Sequence, residues 1–170
     1  MASGEPWPLD VLTPEYLISG VVEAPAQKWG WSYFSPVEKR PARALDLRVT
    51  EARSTGARPA PPLAGTYASF AYGTAFVALI SRGGATDAVW EEWAAAVGTP
   101  VAAEVFVGPY AITGSFLSAD GTLSVLLNDR MPVRDATIVR IDGAGDGAPI
   151  EAARAVVATA FVQTAVVAAR

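Results

Sequence analysis

A chain of 170 residues without a single cysteine or histidine excludes disulfides, thiol chemistry and thiolate metal sites, and lacks the commonest general base and transition-metal ligand. Apolar residues make up 51% and charged residues 18%, with a formal net charge of −4; such a composition excludes disorder over most of the chain. The charge content falls below the roughly 25% usual for soluble domains, so one copy has few charges with which to cover its surface and self-association is expected.

The opening residues have neither the basic start nor the apolar core of a signal peptide, and residues 1–12 read as a Pro-containing lead-in carrying Trp7. A first β unit is expected over residues 13–80. Tyr16 to Val22 is apolar and β-branched and stops at Glu23-Ala24-Pro25, which predicts a strand. Lys28 to Phe34 reads as a second strand, and Ala44 to Thr50 alternates Leu45, Leu47 and Val49 with Asp46 and Arg48 as a third. Residues 53–62, with a glycine and three prolines, form a loop, and Tyr67 to Ile80 closes the unit as one or two strands broken at Gly73.

Residues 81–104 read as a linker with one helix, Thr86 to Val97, capped by Thr86 or Asp87 and ended by Gly98 before Pro100. A strand over Val101 to Val107 leads into the second unit, residues 105–170. Gly108-Pro109 turns into a strand from Tyr110 to Leu117, and Asp120-Gly121 signals a hairpin between Phe116-Leu117 and Leu123 to Leu127. Ala136 to Ile141 is a strand, residues 143–149 are a loop, and Ala155 to Val167 is read as strand for its β-branched content. The nearly uncharged run 155–169 is shorter than the roughly 20 residues a membrane helix needs, so no membrane span is expected; the absence of cysteine fits a reducing cytosol, and a cytoplasmic protein is expected.

Three segments recur in order. Tyr16-Leu17-Ile18-Ser19-Gly20 returns as Tyr110-Ala111-Ile112-Thr113-Gly114, Arg48 to Ala52 as Arg140 to Ala144, and Thr74 to Val77 as Thr159 to Val162, at offsets of 94, 92 and 85 residues. A long-period repeat is the mark of a duplicated structural unit. The expected fold is therefore mainly β: two fused, pseudo-twofold-related small antiparallel barrels or sandwiches with one connecting helix. Closure into barrels would remove the sticky edges of such apolar strands.

The run Gly121-Thr122-Leu123-Ser124-Val125-Leu126-Leu127-Asn128, then Met131-Pro132-Val133 and Asp135-Ala136-Thr137-Ile138, resembles a small bacterial β-domain of unknown function, here in tandem. The first unit departs from it: Trp29, Gly30 and Trp31 stand where Leu123, Ser124 and Val125 do, and no asparagine follows. The strand layout also resembles Sm-like barrels, a likeness of fold alone. Both resemblances imply a β fold and no activity.

Trp29, Trp31 and Tyr33 share one face of a strand. They read first as core or self-interface, then as a site for another protein, and last as a stacking platform for a small ligand or nucleic acid. Residues 28–58 hold seven basic residues, including Lys39, Arg40 and Arg43, against three acidic ones. In an acidic chain this suits contacts between subunits better than a polyanion. The candidate interaction residues are thus Trp29, Trp31, Tyr33, Lys39, Arg40 and Arg43. Gly143 to Gly147 lacks the spacing and lysine of a phosphate loop, and Asp142, Asp146 and Glu151 fit no calcium loop. Glu104, Asp120, Asp129 and Asp135 offer carboxylates, and Ser115 and Ser118 hydroxyls without a histidine base. No cofactor, metal or catalytic residue is assigned. The expected function is a non-catalytic assembly or interaction protein that binds itself or a larger complex. The alternatives are a small-molecule sensor using the Trp29/Trp31/Tyr33 face and a carboxylate-dependent hydrolase.

Overall fold

A computed structural model describes residues 5–23, 45–70, 76–119, 121–123, 130–158 and 162–167, with the backbone alone for Leu45 and 162–167. Among these residues lie ten strands and one helix: β1 (Trp7–Leu12), β2 (Tyr16–Val22), β3 (Leu45–Ser54), β4 (Tyr67–Phe70), β5 (Ala78–Ser81), α1 (Ala85–Val97), β6 (Thr99–Val107), β7 (Tyr110–Ser118), β8 (Arg130–Arg140), β9 (Ile150–Ala158) and β10 (Val162–Val167). All ten strands join one antiparallel sheet in the order β10-β6-β7-β8-β9-β5-β1-β2-β3-β4.

The fold is mainly β, as the alternating and β-branched segments require, but the sheet is not closed. Among the described residues no ladder joins β4 to β10, so the expected barrel closure gives way to one open sheet whose end strands are β4 and β10. The lead-in also differs from expectation. Trp7–Leu12 is a strand paired on both sides, with β2 and with β5. Pro8 sits near its start, where a missing N–H is tolerated, and the half-exposed Arg82 reaches Asp10 at 3.4 Å.

Two apolar cores lie on opposite faces of the central strands. On β5, Ala78 and Ile80 point into a core with Ile112, Phe116, Val133 and Ile138, while Leu79 points into the other with Leu9, Val11, Leu47 and Val49. On β9, Ala155 and Val157 join the first core and Val156 the second. Central strands buried on both faces need apolar side chains at successive positions, which explains Ala155-Val156-Val157-Ala158.

Helix α1 begins one residue before its expected start, and Gly84 stands at its N-cap without a side-chain cap. Thr86 and Asp87 were the expected caps. Instead the buried Thr86 donates to the Pro8 carbonyl, and Asp87 accepts from Ser81 and Arg154. Trp90, Trp93 and Ala94, spaced for one helical face, enter the second core. On the flank of that face, Glu91 lies between Arg154 at 2.7 Å and Arg134 at 2.5 Å.

The hydrogen bonds from Arg154, and less so from Arg134, hold the Glu91 carboxyl below its ordinary value of 4.5. A depressed folded-state value means the stabilisation is complete above the unfolded-state value and is lost as pH falls through the folded one. Because Glu91 is 38% and Arg134 42% exposed, it amounts to about 1 kcal/mol or less. Glu91→Gln is expected to melt slightly below the wild type at neutral pH. The two melting curves should converge as pH falls below 4.5; a constant gap down to strong acid would contradict the assignment.

Several ladders repeat their register. In β2 and β3, Tyr16 faces Ser54, Ser19 faces Glu51 and Val21 faces Arg48, with a register shift at Gly20. In β7 and β8, Tyr110 faces Arg140, Thr113 faces Thr137 and Ser115 faces Arg134, with a register shift at Gly114. A Cβ on Gly20 would come 2.5 Å from the Arg48 carbonyl oxygen, and one on Gly114 would come 3.0 Å from that of Arg134. Both glycines sit where the paired backbone approaches too closely for a side chain. The Tyr16/Tyr110 match thus occupies corresponding places in the two ladders. The expected match of Arg48 with Arg140 does not: the register pairs Arg48 with Arg134 and Arg140 with Ser54 as counterparts. The β3–β2 and β8–β7 ladders each carry one bulged residue, and Asp135, with φ of 50°, marks the bulge in β8.

A polar clamp ties Tyr110 and Arg140 to the turn between β1 and β2. The Tyr110 hydroxyl lies 2.6 Å from Thr55 Oγ1, and burial pushes it above its ordinary value. The Arg140 side chain, 7% exposed, donates to both Asp142 carboxylate oxygens and to the Pro14 carbonyl. Its cation lies 5.7 Å from the Tyr110 ring centre.

Candidate functional site

The expected interaction residues Trp29, Trp31, Tyr33, Lys39, Arg40 and Arg43 lie outside the described residues, as do the expected strand Lys28–Phe34, the break at Gly73, and Asp120 and Asp129. Among the described residues, the features left without a partner are the two edges of the sheet.

One edge is β4, Tyr-Ala-Ser-Phe, bound to β3 with Leu47 facing Ala68 and Arg48 facing Tyr67. Tyr67 is 66% exposed, and Ser69 is exposed while its hydroxyl donates to Asp46. Ala68 and Phe70 pack half-buried against the second core. Beside this edge Glu23 accepts from Arg48 and from the Tyr67 hydroxyl. The Arg48 bond first, and the Tyr67 bond second, hold the Glu23 carboxyl below its ordinary value; the same carboxylate raises the Tyr67 hydroxyl. The other edge is β10, Val-Gln-Thr-Ala-Val-Val, bound to β6 with Ala165 facing Val105. Neither edge strand contains a charge or a proline, the usual devices that keep an open edge from pairing with another chain.

The sequence pointed toward the aromatic strand and passed over these edges. The available signal was the uncharged stretch Tyr67–Phe70 itself, since a solvent-facing edge normally carries lysine or glutamate.

The chemical constellations resolve differently. Glu104, Thr113, Ser115 and Asp135 line an open depression of 440 Å³ with Ala102, Ala103 and Gly114. It brings two of the candidate carboxylates and one candidate hydroxyl to one surface. Ser118, the other hydroxyl, is buried and donates to the Thr122 carbonyl. Asp142 and Asp146 each accept a backbone N–H two residues on, at Ala144 and Ala148, which is ordinary turn chemistry. Glu151 accepts from Thr137. No group of three metal-ligating side chains occurs among the described residues, and no helix among them is long and apolar enough to cross a membrane.

Comparison of the chain with family models, with curated proteins and with solved structures finds no match in any of the three.

Proposed function

We propose that this protein is a non-catalytic assembly protein, built from two copies of one five-stranded unit, that joins further copies of itself through the edges of its sheet. The observation that carries this reading is that both edge strands, β4 and β10, are uncharged and proline-free and have no second partner among the described residues. An open row of backbone N–H and C=O groups is a template for another strand. The low charge content of the whole chain supports the same reading.

Duplication is supported by the strand orders, β5-β1-β2-β3-β4 in the first half and β10-β6-β7-β8-β9 in the second. The shared register around Tyr16 and Tyr110 supports it further. Five strands and one apolar face make a unit that buries little by itself, so stacking units edge to edge enlarges the core.

Ser69→Lys tests the reading. A lysine on the exposed face of β4 places a charge beside any strand that docks there, while Ser69 itself contributes nothing to either core. The variant is expected to lose the assembled species in size-exclusion chromatography with light scattering while still unfolding in one cooperative transition, at a melting temperature lowered only by the lost association. Unchanged assembly at an unchanged melting temperature would remove β4 from the contact.

A further inference from the structure

We propose that the partner of β4 is β10 of a second copy, paired antiparallel and head to tail, with Ser69 opposite Ala165 of the neighbouring molecule. This rests on the assembly reading above and adds which edges meet, in which register and with which symmetry.

The chain already contains one such junction. Strand β5 pairs with β9, Ala78 facing Val157, Leu79 facing Val156 and Ile80 facing Ala155. The two open edges are the counterparts of these two strands. On the β1 side, Leu12 faces Ala78 and Val11 faces Leu79; on the β6 side, Phe106 faces Thr164 and Val105 faces Ala165. Strand β10 therefore stands to β6 as β5 stands to β1, with Ala165 in the place of Leu79. On the β3 side, Leu45 faces Phe70 and Leu47 faces Ala68; on the β8 side, Met131 faces Val157 and Val133 faces Ala155. Leu47 and Val133 correspond because each lies under the bend glycine of its ladder, Gly20 or Gly114. Strand β4 therefore stands to β3 as β9 stands to β8, with Ser69 in the place of Val156. Carrying the internal junction over to the free edges sets Ala165 against Ser69, Thr164 against Phe70 and Val166 against Ala68.

Burial marks the missing neighbour. Ala155 and Val157, which have β5 beside them, are 0% exposed. Their counterparts Ala68 and Phe70, on an edge, are only half-buried. A strand laid along β4 would complete their cover, and β10 brings no charge that the contact would have to desolvate.

The symmetry follows. A contact between two unlike edges leaves a free β10 at one end of the pair and a free β4 at the other, so assembly continues past two copies until a ring closes or a filament grows. A β4–β4 or β10–β10 contact would be self-complementary and stop at the dimer.

The absence of native cysteine makes cross-linking clean. Ser69→Cys, Ala165→Cys and the double variant are purified, and the two single variants are also co-expressed. Each is oxidised mildly, or treated with a short bis-maleimide that relaxes the strict geometry a disulfide demands. The expected result is no covalent dimer from either single variant, a covalent dimer from the co-expressed pair, and a ladder of multimers beyond the dimer from the double variant. A covalent dimer from one single variant alone would overturn the head-to-tail pairing. So would a double variant that sediments like an assembled wild type yet never cross-links, which would leave self-assembly standing through another surface. A wild type that is monomeric throughout would instead overturn the assembly reading itself.

Discussion

Replacing Trp90 with alanine is expected to cost about 3–5 kcal/mol of stability, the range for removing a large aromatic from a packed core. Trp90 is 1% exposed and belongs to the core that also holds Leu9, Val11 and Val156. Its indole N–H donates to the Ala155 carbonyl at 2.9 Å, and the Arg134 guanidinium lies 5.2 Å from its ring centre. One side chain thus fastens the helix to the central strands at the point where the two halves of the sheet meet. Truncation opens a cavity and removes one buried hydrogen bond to the Ala155 carbonyl. Trp90→Phe separates the two losses, since it keeps most of the ring and forfeits the donor; about 1–3 kcal/mol is expected for it. Denaturant titration of both variants gives the comparison. An alanine variant within about 1 kcal/mol of wild type would show that the helix is not packed as described.

Gly20→Ala is the second large effect, at about 1–3 kcal/mol or more. The added Cβ would stand 2.5 Å from the Arg48 carbonyl oxygen and 2.6 Å from Leu47 Cγ. Leu47 is 0% exposed and cannot retreat, and the carbonyl belongs to the neighbouring strand. The strain must be met by moving β2 away from β3 at its register shift. Gly147→Ala is the contrast: its φ of 69° disfavours a side chain, but nothing lies within 4 Å of the added carbon. That variant should lose about 1–2 kcal/mol, the ordinary cost of a left-handed residue. If thermal unfolding ranks Gly147→Ala as the more damaging of the two, the close approach at Gly20 is wrong.

Local signals were legible where one interaction decides the outcome. The apolar, β-branched segment Tyr16–Val22 forms β2 with the bounds read from the sequence, and Gly98 ends the helix after Val97. Strand β1 was hidden because Pro8 and Asp10 resemble loop residues. What makes it a strand is distant: β2 on one side, β5 on the other, and Arg82 beside Asp10. The helix caps were misread because Thr86 and Asp87 are engaged by Pro8, Ser81 and Arg154, partners far from any local capping pattern.

Closure was not legible at all. Whether a sheet joins its own ends depends on twist summed over all strands, and no single residue of β4 or β10 encodes it. The like registers of the Tyr16 and Tyr110 ladders were legible in the sequence match, but the match of Arg48 with Arg140 fell out of register. The bulged residue in each ladder shifts the correspondence to Arg48 with Arg134. The candidate surface was visible only as an absence of charge in Tyr67–Phe70 and Val162–Val167, a weaker signal than the aromatic run Trp29/Trp31/Tyr33.

The central claim is that copies of this chain join through the edges of the sheet, and sedimentation velocity of the wild type across the micromolar range tests it most directly. The account predicts a species heavier than a dimer that gains mass or population with concentration. A single boundary at the mass of one chain, 17.7 kDa, at every concentration would contradict it.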